Sequence, residues 1–224
     1  MLERILLRLH TDDAGVEEPS ITRDRLKAGF PLGTTRRMTQ LGLMVGTALD
    51  RVEAGPADSV TYASTFGETR ALEGYLDSYP GASPTLFQTS IHPSAVQQGR
   101  VVRQGALREF FPVAGGEHLV LSALLVALLE PSGQSIFCGG EERGTWLRER
   151  GLGSPRSFGF AVALGRKVGA GVPLGRLRLI EAEGGREDDS GGTLSLCDWF
   201  DLLHGRHSYA GAVGPGWRLE LTWM

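Results

Sequence analysis

Cysteine is nearly absent from this chain, with only Cys138 and Cys197 among 224 residues. Two thiols make neither a disulfide framework nor a zinc site with paired Cys spacing. Cys138 lies in an apolar strand pattern, where a buried and inert thiol is the expectation. Long apolar runs are missing too. The longest, Leu119 to Leu129, is too short to span a bilayer. The opening Met-Leu-Glu-Arg-Ile-Leu-Leu-Arg-Leu carries charges inside its apolar run, which excludes a signal peptide. A soluble, cytoplasmic protein is expected. There is no basic excess: the net charge is −3 with both signs interspersed, so nothing points to nucleic acid. The paired glycines at 115–116 and 139–140 have neither a following Lys-Ser/Thr nor a G-x-G-x-x-G context, so they are not phosphate loops. Ser64, Ser90 and Ser122 all lie outside G-x-S-x-G. A spatial Ser-His-Asp arrangement stays open, because such triads are not sequential.

What is present is ordinary in bulk: 41% apolar and 22% charged residues, enough for a real core in one domain spanning 1–224. The 32 glycines follow no period, which excludes collagen and implies tight turns and close backbone approaches.

Strand and helix patterns alternate. Ile5 to Leu9 reads as a strand, and 11–33 as polar loop with one short helical turn. Thr34 or Thr35 is expected to cap a helix reaching Val52, because Met38, Leu41, Val45, Ala48, Leu49 and Val52 recur at helical spacing. Val60 to Ser64 is a strand, Glu68 to Tyr79 a helix stopped by Pro80-Gly81, and Pro84 opens a loop. Pro93 to Arg103 reads as helix and Leu107 to Val113 as strand. The run 118–129 is apolar nearly all round, so it should be a core helix buried between layers. A strand at 135–139 follows, then a polar stretch anchored by Trp146. Phe158 to Leu164 and Leu174 to Ile180 read as antiparallel strands joined by a glycine-rich turn. Residues 183–193 read as an acidic, mobile loop, Leu196 to Leu203 as a helix and Trp217 to Trp223 as a final strand. The class is α/β.

Several segments, in order, resemble the N-terminal half of a β-ketoacyl synthase of the thiolase fold. They are Thr35-Arg-Arg-Met-Thr39, Tyr62-Ala-Ser-Thr-Phe-Gly-Glu68, Ser83-Pro-Thr-Leu-Phe87 with Ser90-Ile-His-Pro-Ser94, Phe137-Cys-Gly-Gly-Glu-Glu142, and Ser157-Phe-Gly-Phe-Ala-Val-Ala-Leu164. In that family a buried helix opens with the nucleophilic cysteine. Here the turn before the apolar helix, Gly115-Gly-Glu117-His118, has none, and Glu117 aligns with the nucleophile. A thiolate at a helix start is activated by the helix dipole; a carboxylate there cannot do the same acyl transfer. The family's second half, with its two histidines, has no counterpart before Met224.

The resemblance therefore implies an N-terminal-half type of synthase-like protein, found among aryl-polyene and related polyketide systems and similar to chain-length factors. It implies a mixed central sheet continued across a dimer, a partner that is an active ketosynthase or a second copy, and an acyl carrier protein met through that partner. If the chain is part of an enzyme, that enzyme is a β-ketoacyl-ACP synthase. The resemblance also implies a partner-facing surface at 83–98, including Phe87, Ile91, His92 and Val96. No cofactor and no metal are implied. Beside its reading as the lost nucleophile's replacement, Glu117 reads as a first-turn acid favouring the dipole, and His118 as a base beside Glu117 or, with no nucleophile next to it, as an exposed or hydrogen-bonded helix-start residue. His204 and His207 form an H-x-x-H spacing, but Gly205 interrupts a shared helical face. The alternatives are an acyl hydrolase or acyltransferase on the same scaffold, using a serine or His118, or an acyl-chain binding module.

Overall fold

The computed structural model describes residues 1–131, 133–167, 172–182 and 193–224. Eight strands form one sheet: β1 (Leu2–Gly15), β2 (Ser59–Ser64), β3 (Glu109–Ala114), β4 (Gln134–Glu141), β5 (Ser157–Gly165), β6 (Gly175–Glu181), β7 (Tyr209–Gly214) and β8 (Trp217–Trp223). Their order is β3-β2-β4-β5-β1-β6-β8-β7. β2 runs parallel to both β3 and β4, and every other pairing is antiparallel. The sheet is mixed, as expected.

Its centre departs from the expectation at one place. β5 and β6 are not a hairpin, because β1 lies between them and is antiparallel to each. They therefore run in the same direction. Gly165 at the end of β5 is level with Ile5, and Gly175 at the start of β6 is level with Leu6. The chain thus steps across β1 and continues onward, which a short connection can do because the two strands are staggered rather than side by side. β1 is able to serve both because it has 14 residues, well beyond the expected five. Residues 168–171 of that connection, and 183–192 of the acidic segment read as mobile, lie outside the described residues.

The helices are α1 (Pro19–Leu26), α2 (Gln40–Arg51), α3 (Thr69–Asp77), α4 (Pro84–Ser90), α5 (Ser94–Arg103), α6 (Leu119–Leu129), α7 (Trp146–Glu149) and α8 (Leu196–His204). α2 begins later than expected. Residues 34–37 form a separate 3-10 turn, and Thr39, not Thr34 or Thr35, caps the helix by accepting the Gly42 N–H at 2.9 Å. The expected loop at Pro84 is helical: Ser83 accepts the Leu86 N–H, and Pro84 supplies the preset φ of a first helical position. α1 is the short helical turn expected within 11–33, here eight residues long; α7 and β7 lie in stretches to which the sequence pattern assigns no element. In α7 the buried residue is Leu147, while Trp146 is half-exposed.

Alternation along the strands divides the core. On one face Val60, Tyr62, Ile136, Cys138, Ala161 and Ala163 meet α2 and α5. The side chains of β5 are small there, so α2 comes close; a Cβ added at Gly159 would lie 2.8 Å from the Cβ of Met44. On the other face Phe137, Phe158, Phe160, Val162 and Leu164 meet α6 and α8. Phe137 stacks on Trp199 at 5.7 Å between centroids, and Phe158 packs against Phe200 in a tilted arrangement at 4.5 Å. Burying each such ring contributes roughly 1.5–3 kcal/mol.

α6 lies in this second core but is not buried all round. Leu119, Val120, Leu121, Ala123, Leu124, Ala127 and Leu128 are buried, Leu125 and Val126 are half-buried, and Ser122 and Leu129 are exposed. The sheet and α8 cover one side, and no second layer covers the stripe Ser122, Leu125, Val126, Leu129 among the described residues. No helix among the described residues is long and apolar enough to cross a membrane.

Candidate functional site

Two places are candidates, the head of α6 and the carboxyl-terminal ends of β2 and β4. Edge strand β3 pairs, among the described residues, with β2 alone and leads through Gly115 and Gly116 into the helix. His118 precedes α6 in the left-handed conformation, φ 60°, and no side chain caps the helix. Glu117 is exposed and lies outside the first helical turn. Its reading as a first-turn acid therefore weakens, since the dipole effect falls off within that turn. The His118 Nδ1 is 3.4 Å from the hydroxyl of Thr193. No cysteine is near in sequence. Cys138 is buried in β4, with its thiol pushed well up by burial, and Cys197 is on α8.

The strand ends and the neighbouring α3 hold what the sequence pattern does not bring together: four buried carboxyls, each accepting one or more backbone N–H groups from another segment. Glu141 accepts from Phe66 N at 3.3 Å, from Thr65 N and from the Ser64 hydroxyl at 3.0 Å. Glu142 accepts from Leu41 N at 2.8 Å, at the start of α2. Glu68 accepts from Ala95 N at 3.0 Å, at the start of α5. Glu73 accepts from Thr145 N at 2.7 Å and Leu147 N at 2.9 Å, at the start of α7. Burial pushes the carboxyls of Glu141 and Glu142 up to about 7, against the pull of these donors. The signal for two of them was the Gly-Gly-Glu-Glu that closes an otherwise apolar strand.

His92 belongs to this cluster. Its ring stacks on Tyr62 at 4.9 Å, and Nδ1 is 3.6 Å from Glu68 Oε2. Among the described residues the Tyr62 hydroxyl, Glu68 Oε2 and both His92 nitrogens have no hydrogen-bond partner. The four residues assigned to a partner surface thus divide. Phe87 and Ile91 are 48% and 47% exposed, and Phe87 packs against Tyr75 at 5.3 Å between ring centroids. Val96 is 1% exposed and packs beneath α2. It cannot face a partner, because α5 turns its apolar side inward at that position.

The remaining candidates are apart. His204 stacks on Phe200, and its Nδ1 is 3.0 Å from the Thr11 hydroxyl. Among the described residues no group of three His, Cys, Asp or Glu could hold a metal. Ser64 is engaged with Glu141 and Gly67, and the Ser90 hydroxyl donates to the Phe87 carbonyl. No serine among the described residues is hydrogen-bonded to a histidine.

With this geometry in hand, comparison with solved structures is decisive for the fold. The chain superposes over 99% of its length, and 100% of the other, on a chain of the ketosynthase (ApeO) in complex with its chain length factor (ApeC) from Xenorhabdus doucetiae, at TM-score 0.67 and 17% identity. The fold is that of the ketosynthases. The ishigamide ketosynthase/chain length factor matches over 84% of this chain and 69% of its own, at TM-score 0.58 and 15% identity. A β-ketoacyl synthase from Burkholderia phymatum matches over 92% and 70%, at 0.54 and 12%. No family model matches the sequence, and no curated protein does.

Proposed function

We propose that this chain is a non-catalytic, ketosynthase-like subunit of the chain-length-factor type, pairing with an active ketosynthase. One observation carries the reading. The chain matches, end to end, a chain of a ketosynthase–chain length factor complex, while the turn into α6 offers Glu117 and His118 and no thiol. An exposed carboxylate outside the first turn has neither the nucleophilicity nor the helix activation that acyl transfer requires. The edge of β3 and the apolar patch around Phe87 and Ile91 are surfaces that soluble monomers usually cover or blunt. Both support a partner, an active ketosynthase or a second copy of the chain.

In this reading the substrate is an acyl chain carried by an acyl carrier protein bound through the ketosynthase subunit, in a fatty-acid-like or aryl-polyene-type polyketide synthesis. The chain supplies shape, and the partner supplies the nucleophile. Co-expression with an active ketosynthase tests it. A stable one-to-one complex is expected, with product length changed when this chain is altered. Two species that elute separately, with this chain a monomer at micromolar concentration, would refute it.

A further inference from the structure

Two adjoining cavities open beside the 3-10 turn at 34–37, away from the head of α6. The smaller, about 310 Å³, is bordered by four arginines, Arg23, Arg36, Arg37 and Arg70, with Glu142 in its wall. The larger, about 710 Å³, shares Arg36, Arg37, Met38 and Thr89 and continues along α5 past Gln97 and Gln98.

The arginines set this place apart. Acids outnumber bases 26 to 23 in the chain, and many arginines are matched: Arg8 to Glu53, Arg25 to Asp12 and Glu17, Arg103 to Asp50, Arg156 to Asp201. Arg36 and Arg37 are adjacent, exposed, and hold no ion pair or hydrogen bond among the described residues. Their turn is fixed from beneath, since Thr35 is buried and its carbonyl accepts from Arg23 Nε at 3.2 Å. Arg70 makes a 3.3 Å contact with the exposed Glu18 and also lies within electrostatic reach of the Glu142 carboxyl in the cavity wall. The second observation is Glu142. It is 1% exposed, it lines the same cavity, and its Oε2 has no partner among the described residues. In its protonated form that oxygen donates, as a bound oxyanion requires.

We propose that the smaller cavity binds the phosphate group of a small phosphate ester, whose remainder lies along the adjoining groove. Guanidinium forks match phosphate oxygens two at a time, and the hydroxyls and amides of the groove suit an extended polar ligand. The concave form and the buried carboxyl favour a small molecule over an acidic protein surface, which would need the arginines on a flat or convex face. This inference does not rest on the pairing with a ketosynthase.

Calorimetric titration with inorganic pyrophosphate tests it, with citrate as the carboxylate comparison. Pyrophosphate should bind saturably at one site. The double variant Arg36→Ala/Arg37→Ala should weaken it at least tenfold, and Arg206→Ala/Arg218→Ala, at exposed positions in the C-terminal segment, should leave it unchanged. Binding that is absent, or lost equally in both variants, would overturn the proposal. Citrate binding as tightly as pyrophosphate would overturn the assignment to phosphate. Binding of an acidic protein that pyrophosphate does not compete with would also overturn it.

Discussion

The head of α6 and the carboxyl-terminal ends of β2 and β4 are opposites. The first is conspicuous in sequence and chemically sparse among the described residues: Glu117 is exposed, the His118 ring has one long hydrogen-bond contact, and no side chain caps the helix. The second is inconspicuous in sequence and dense, with four buried carboxyls bonding the starts of three helices and one turn. A resemblance draws attention to a position by what is missing from it. Buried polar groups, by contrast, are dictated by where loops must close, because each inward N–H needs an acceptor. The proposed function draws on the first region, and the second holds the scaffold's loops and helix starts together.

Substitution should separate the two regions sharply. Glu141→Ala strands two N–H groups and a buried hydroxyl, at about 1–3 kcal/mol for each group left unsatisfied. Chemical denaturation should register a loss of about 3 kcal/mol or outright unfolding, and a wild-type midpoint would mean that the carboxyl cluster is not structural. Ala123→Phe, on the inward side of α6, should cost about 1–3 kcal/mol by overpacking. Thermal melting reads this, and an unchanged Tm would mean that the inner face of the helix is not close-packed.

The carboxyl cluster also predicts a pH dependence. Glu142 titrates at about 7 in the folded chain, above the ordinary glutamate value. The folded state therefore holds its proton more tightly than the unfolded state does. Its contribution to stability is complete below about pH 4.5 and is lost as pH rises through about 7. Glu142→Gln keeps an acceptor for Leu41 N and removes the titration. The variant's stability relative to wild type should rise between pH 5 and 7.5, and a difference that is flat with pH would contradict the assignment. The smallest effect belongs to the α6 head. Glu117→Ala should change stability by less than about 0.5 kcal/mol, as exposed substitutions do. A loss above about 1 kcal/mol would show that this residue is structural and narrow the contrast.

The sequence revealed those parts of the fold that depend on local pattern. The apolar run of α6, the β-formers of β2 and β5, and the alternation of β8 were all legible, because burial imposes a period that survives without knowledge of neighbours. Long-range pairing was not legible. Nothing in Leu174 to Ile180 states that β1 will slip between it and β5, since either neighbour would bury the same alternate residues. α4 was missed although Ser83-Pro84 is a helix start in its own right, because the polar composition around it reads as loop. At the site, Ser64 and Glu141 meet across 77 positions, so their convergence exists only in the fold. Val96 illustrates the reverse: an apolar residue in the right segment, assigned to a partner surface, that the turn of α5 places in the chain's own core.

The central claim, that this chain shapes an acyl site but performs no acyl transfer, is most directly tested by intact-mass measurement. The purified complex with an active ketosynthase would be incubated with an acyl thioester of acyl carrier protein, and both subunits weighed. The account predicts one acyl group on the ketosynthase and none on this chain, with or without the partner. A stoichiometric acyl adduct on this chain, at any residue, would contradict it.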